Sequence, residues 1–371
     1  MGKSNLSLRL AALLLCAVVA WHMVGAPRTA AEWQAAPLLL ESAWNQLPSR
    51  AARIFAQWAW GSKPSQAAEP PSSTTDWKQL MKNETQWPVK VFDIEQNKLV
   101  TLPLEQYVAG VVAAEMPASY HLEALKAQAA AARTRVISQA SSFSGTGCSK
   151  HPGADICTDS SHCQAYISQG ARAEKWGASA GAYEERINRA ALATKGMILT
   201  YNGQPITVLY HAISGGRTED VQAVFSQSLP YLKSVESRGE EGNTKYQTVQ
   251  TFSNQEAAQL MNKAFPGANV SPDTIALQVS IEARSDTGRA TQMRVGDQLV
   301  SARDFRSALS LNSTLFTISA NESSITFTQK GYGHGVGMSQ AGANAMAASG
   351  ILWDGIVKHY YTGISVTALQ Q

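Results

Sequence analysis

The sequence predicts an α+β fold: a two-lobed domain preceded by a membrane-crossing helix. Three observations carry this. Apolar residues recur at helical spacing between residues 104 and 139, whereas alternating strand-like runs dominate after residue 196. Helical and strand patterns come in blocks and do not alternate, which argues against a parallel βαβ sheet. The chain has 371 residues, 44% apolar and 16% charged, enough to build two lobes with real cores.

The N-terminal segment comes first. Residues 10–26 read LAALLLCAVVAWHMVGA behind Lys3 and Arg9. Seventeen largely apolar residues suit a short spanning helix, with the basic end kept inside. A cleaved signal peptide is the rival, because RTAAEWQAA offers small-residue sites. Either reading puts the bulk of the chain outside the cytoplasm. Residues 1–26 are thus a tail and anchor. Residues 27–86 are a juxtamembrane segment, modestly amphipathic in PLLLESAWNQLPSRAARIFAQWAW, and a Pro/Ser linker at 61–76. The folded domain is expected over 87–371, with a second lobe at about 250–328.

Within that domain, WPVKVFDIEQNKLVTLPL reads as two short strands around Glu95–Lys98. The helix in YVAGVVAAEMPAS follows and is stopped by Pro117. HLEALKAQAAAARTRVISQ is an alanine-rich helix whose narrow face holds Leu122, Leu125, Ala129, Ala132 and Val136. A cysteine-bearing loop leads to a helix at about 180–194, then to strands in MILTYNG and QPITVLYHAISGG. FSNQEAAQLMNKAF reads as a helix, and IALQVSIEARSDTGRATQMRVGDQLV as a hairpin turning at Ser285–Gly288. SARDFRSALS is a helix capped by Ser301. The C-terminal part is a strand, a glycine-rich turn and a helix from about Ser339.

Chemistry is concentrated at a few residues. Leu104, Val108, Val111 and Glu115 lie at steps of four, three and four, so Glu115 ends an otherwise aliphatic helix face. Burial there raises a carboxyl pKa and suits the group to act as an acid and later as a base. The bland reading is a helix-end glutamate facing water. In GYGHGVGMSQAGA the glycines at 331, 333, 335 and 337 permit positive φ and close approach to a ligand, with His334, Ser339 and Gln340 placed to line a cleft; a glycine-rich structural turn is the alternative. His151, Cys157, His162 and Cys163 fall within thirteen residues and suit a closed tetrahedral zinc site; a Cys157–Cys163 disulfide or free thiols are the alternatives, and Cys148 is left over. A net charge of +3, dispersed along the chain, gives no footprint for nucleic acid, and no phosphate-binding glycine motif is present.

Four stretches bear a further reading. LEQYVAGVVAAEMPASYHLEALKAQAAAARTRV (104–136), YHAISGGRTEDV, YLKSVES and GYGHGVGMSQAGANAMA resemble, in order, the motifs of the stage II sporulation protein D family; the resemblance spans about residues 88–365. It implies a lytic transglycosylase that cuts peptidoglycan during engulfment of the developing spore, with Glu115 as acid/base and a glycan-binding groove between the lobes. It marks Arg133, Tyr231 and Lys233 as functional positions. It implies glycans stripped of stem peptides as substrate, an amidase partner and a membrane-bound engulfment complex. Some members of the family carry a zinc site of two cysteines and two histidines with the spacing found here. The family often has Pro-Trp-Asp after YLKSVES; Arg-Gly-Glu stands here, leaving the role of Glu240 open. A wall-binding activator of an amidase and a zinc hydrolase are the rival functions.

Overall fold

The computed structural model describes residues 87–369 apart from 144 and 226. The apolar run at 10–26 and the linker at 61–76 lie outside the described residues, and among those described no helix is long and apolar enough to cross a membrane.

In chain order the elements are β1 (Pro88–Asp93), β2 (Lys98–Pro103), α1 (Leu104–Glu115), α2 (Leu122–Gln139), β3 (Ile156–Cys157), α3 (Gln169–Trp176), α4 (Ala180–Ala193), β4 (Met197–Tyr201), β5 (Gln204–Pro205), β6 (Tyr210–His211), α5 (Val221–Phe225) and β7 (Gln247–Ser253). They continue with α6 (Asn254–Ala264), α7 (Ile275–Gln278), β8 (Val279–Arg284), β9 (Ala290–Val295), β10 (Gln298–Ser301), α8 (Ala302–Ala308), β11 (Phe316–Ala320), β12 (Ser324–Lys330), β13 (Met338–Ser339), α9 (Gln340–Ala348), α10 (Trp353–Tyr360) and β14 (Ser365–Ala368). The mixture is α+β, built on small sheets: β2-β1-β3, β14-β4-β5, β13-β6, β10-β9-β8 and β11-β12-β7.

Helix α2 is the hub. It packs on α1, α4, α9, α10 and β4, and Ala124–Thr134 are buried throughout. The narrow apolar face read from the sequence understates this. Alanines on all sides let neighbours approach from every direction, and a helix without a polar face is a buried one. The long run QPITVLYHAISGG, read as one strand, breaks into the two-residue strands β5 and β6.

From β7 to β12 the chain encloses a core of its own. Phe252, Phe305, Phe316 and Phe327 meet at ring-centroid distances of 5.6–6.1 Å, with Met261, Met293 and Val295 around them. Such aromatic pairs add about 0.5–1.5 kcal/mol each beyond area burial. The β8–β9 turn ties this region to the rest: Ser285 and Thr287 donate their hydroxyls to Glu219 Oε2, and Arg289 donates to the Ser214 carbonyl and to Ser313 Oγ. Ser253, Ser301 and Ser339 each accept a backbone N–H as the N-caps of α6, α8 and α9.

Candidate active site

Glu115 is the last residue of α1; Met116 is already extended ahead of Pro117. The segment after the cysteine loop crosses α1 at Gly110, where a Cβ would stand 2.2 Å from the Tyr166 ring. Only glycine allows that crossing, and the crossing delivers the Ala165 N–H to Glu115 Oε1 at 3.0 Å. The parallel pair β6–β13 brings the other two partners: Tyr210 Oη lies 3.4 Å from Oε1, and Gln340 Nε2 donates to Oε2 at 3.4 Å. Tyr210 has one proton and donates it to Gln164 Oε1 at 2.9 Å, the shorter contact. Gln164 in turn donates to Tyr107 Oη and the Ala132 carbonyl.

All of these partners are neutral. Burial raises the Glu115 pKa above its ordinary value, against the smaller opposing effects of the Ala165, Gln340 and Tyr210 hydrogen bonds and the Arg135 charge. The carboxyl opens on a cavity of about 360 Å³ whose lining includes Arg135, His162, Tyr210, Phe225 and His334. Glu115 is the one carboxyl group among the described residues that line it. His334 accepts the Val336 N–H at Nδ1 (3.1 Å), and burial with the nearby Arg306 and Arg289 charges lowers its pKa to about 4, so it is neutral near pH 7.

Several residues singled out in the sequence lie elsewhere. Arg133 does not reach the cavity. Its guanidinium, 0% exposed, forms a two-point ion pair with Glu105 and donates to the carbonyls of Ala191 and Met197, so no face is left for a substrate. Tyr231 is buried, with its hydroxyl accepting the Thr207 N–H; Lys233 forms a half-exposed ion pair with Asp220 at 2.9 Å. Ser339 is fully buried; it caps α9 and donates to Glu240. Glu240 is itself structural: its oxygens accept from the backbone N–H groups of Ser214, Gly215 and Gly216 and the hydroxyls of Ser214, Ser237 and Ser339. Glu115, His334 and Gln340 are brought together.

The four alternating glycines all have positive φ. Their close approach is to the chain itself, as the structural-turn alternative has it and not the ligand reading: a Cβ on Gly337 would lie 2.0 Å from the Leu209 carbonyl oxygen.

The cysteine loop forms a wall of the cavity. Cys148, Cys157, His162 and Cys163 turn their ligand atoms to within 4.8 Å of one another. His162 Nδ1 lies 3.7, 3.4 and 3.2 Å from the sulfurs of Cys148, Cys157 and Cys163, and the Cys163 and Cys148 sulfurs are 4.0 Å apart. These values bracket the ~3.6–3.8 Å edges of a tetrahedral metal site made of three sulfurs and one nitrogen. His162 Nε2 is held by Ser149 Oγ at 2.9 Å, which leaves Nδ1 to face the cluster. The cysteines are free thiols, with no Cys157–Cys163 bridge. His151 is not part of the set: its ring stacks on Phe92 with centroids 3.9 Å apart, and Cys148 takes the place assigned to it.

Sequence reasoning missed Arg135, Tyr210, Gln164 and Cys148. One signal was available. Gln128 and Arg135 are seven residues apart, two turns along one face of α2. That face meets the site: Gln128 lies 3.5 Å from Gln340, and Arg135 lines the cavity. Arg133 points to a different face.

Fold and site together define an α+β protein with a single buried carboxyl in a cavity walled by a metal-competent loop of three cysteines and a histidine. The family model described as Stage II sporulation protein matches residues 94–201, and one described as a domain of unknown function, DUF8618, matches 215–337. The chain is 38% identical over 288 residues to "Stage II sporulation protein D" of Bacillus subtilis (strain 168), covering 75% of this chain and 78% of that protein. It is 36% identical over 279 residues to the protein of the same name from Bacillus amyloliquefaciens, with the same coverages. "Amidase enhancer" of Bacillus subtilis (strain 168) is 29% identical over 306 residues, 70% of this chain and 40% of that protein. The chain belongs to the stage II sporulation protein D family, a family of sporulation proteins.

Proposed function

We propose that this protein is a peptidoglycan lytic transglycosylase in which Glu115 acts first as acid and then as base. The observation that carries the reading is the Glu115 carboxyl itself: pKa raised by burial, open to a cavity, and without a second carboxyl on the cavity lining. Hydrolytic glycosidases usually need two carboxylates flanking the bond. A transglycosylase needs one. Protonated Glu115 gives its proton to the bridging oxygen as the bond from C1 of N-acetylmuramic acid breaks. The resulting carboxylate takes the proton of that sugar's 6-hydroxyl, whose oxygen closes on C1 as a 1,6-anhydro ring. Glu115 ends protonated again, and no water is consumed. The attacking hydroxyl belongs to the substrate, so it acts at high effective concentration.

The Ala165 N–H holds Oε1 in place through both steps, and Gln340 holds Oε2. The metal of the Cys148, Cys157, His162 and Cys163 set is read as zinc, because three thiolates and an imidazole are its ligands of choice. Held by these four residues, it would have no open position, and its contribution would be to order the wall that delivers Ala165. The substrate is read as glycan strands, with an amidase and a membrane-bound engulfment complex as partners and the cell envelope as location. A relative named amidase enhancer favours one second reading, a wall-binding activator of an amidase that does not cut.

Mass spectrometry of peptidoglycan digested by the protein tests this. Anhydro-ended muramic acid is the expected product. Free reducing ends, or no products alone with stimulation of an amidase, would overturn it.

A further inference from the structure

We propose that Arg135 recognises a carboxylate on the sugar at the scissile bond: the lactyl carboxylate of muramic acid that carries no stem peptide. The inference rests on the glycan reading above and deepens it.

Arg135 lines the same cavity as Glu115. Its terminal nitrogens donate to the Val208 and His162 carbonyls, each at 3.2 Å, and its buried Nε has no partner. A guanidinium has five N–H groups, so these two bonds leave most of its donors unused. Two further buried arginines have carboxylate partners: Arg133 pairs with Glu105 and Arg172 with Glu184, both at two points. No carboxylate pairs with Arg135 among the described residues. Arg289 also lacks a carboxylate partner there and has an unpartnered Nε, but it is 1% exposed and is not on the cavity lining.

The rest of the cavity does not neutralise it. His334 is neutral near pH 7, burial raises the Glu115 pKa, and no ion pair joins Glu115 to Arg135 among the described residues. A loaded set of three thiolates and one imidazole would carry one net negative charge, but spread over three buried sulfurs, none of which accepts a hydrogen bond from Arg135. The cavity therefore presents a fork-shaped cation with free N–H groups beside the acid. A carboxylate is the group that such a fork matches geometrically. On a glycan strand of N-acetylglucosamine and muramic acid, the lactyl group supplies the carboxylate, on the same ring whose C1 bond breaks. A stem peptide turns that carboxylate into a neutral amide and adds bulk.

The test uses the full-length chain and two glycan oligosaccharides that differ only there, one with the free lactyl carboxylate and one with it converted to the methylamide. Binding is measured by calorimetry in the Glu115→Gln background, so that neither ligand is consumed. The expected preference for the free acid is about ten- to a hundredfold, the range of a charge-assisted hydrogen-bond pair. Arg135→Gln should bring that ratio to about one, and Arg135→Lys should keep part of it. Metal content, measured on each variant, reports whether the wall that Arg135 also ties is intact. Equal binding of the two ligands without the Arg135 substitution overturns the proposal. So does an Arg135→Gln variant that weakens both ligands equally and keeps their ratio, because that marks Arg135 as a tie for the loop alone. Failure to bind either ligand would instead remove the glycan reading, and this assignment with it.

Discussion

The region around Glu115 and the region around Glu240 both bury a glutamate carboxyl, and they solve the cost of doing so in opposite ways. Glu240, 1% exposed, is met by six donors: three backbone N–H groups and three hydroxyls. They converge from the turn after β6, the loop before β7 and the cap of α9. Glu115 has one good donor at 3.0 Å and two contacts at 3.4 Å, one of them to a hydroxyl already engaged by Gln164. A carboxylate saturated with donors serves as a knot. One left short of donors, half-buried and open to a cavity favours its proton. The contrast separates a structural acid from a reactive one without reference to sequence motifs.

Substitution breaks the comparison most sharply. Glu115→Gln keeps the shape and can still accept from Ala165, but it cannot exchange a proton. Anhydro-product formation is expected to fall by at least ~10²-fold, with thermal stability unchanged or slightly raised. Glu240→Gln turns an amide NH2 toward a site made of donors. It is expected to cost about 3 kcal/mol of stability, read as a lower denaturant midpoint, with activity surviving in the fraction that folds. Equal behaviour of the two variants would dissolve the distinction.

Arg133→Met leaves Glu105 buried without its cation, with the Gly196 N–H still donating to it. A loss of about 3–5 kcal/mol is expected, with little change in the Michaelis constant of the remaining folded protein, because Arg133 does not face the cavity. A raised Michaelis constant at normal stability would contradict that placement.

The wall of the cavity offers a comparison between neighbours. Cys148→Ser is expected to remove most of the bound metal and lower the melting temperature, whereas His151→Gln should leave metal content unchanged, as elemental analysis would show. Burial pushes the Cys163 thiol up to about 12 without metal, so binding must expel its proton and should weaken as pH falls.

The smallest expected effect is on the pH dependence of stability. The folded-state pKa of Glu115 is raised above the unfolded value. Its contribution to stability is therefore fully present below the unfolded pKa and is lost as pH rises through the folded one. Glu115→Gln should flatten that part of a denaturation-versus-pH curve. Activity should fall over the same rise, since the first step needs the proton. A curve unaltered by the substitution would show that the carboxyl titrates normally.

Periodicity and local chemistry by themselves determined the helix that ends at Glu115, its aliphatic face, the serine cap at Ser301, the Ser285–Gly288 turn and the gathering of cysteines and histidine in one loop. These features depend on neighbours a few residues apart, and spacing along the chain reports them directly. The partners of Glu115 lie 50, 95 and 225 residues away, at Ala165, Tyr210 and Gln340. No period links them; the crossing at Gly110 and the β6–β13 pairing do. The same holds for the exchange of His151 for Cys148 and of Arg133 for Arg135. In both pairs the residue types are right for the chemistry, and only the direction in which the folded backbone turns each side chain decides which one faces the cavity or the cysteine cluster. Direction is a property of packing: Phe92 draws the His151 ring away, and Glu105 draws Arg133 into the core.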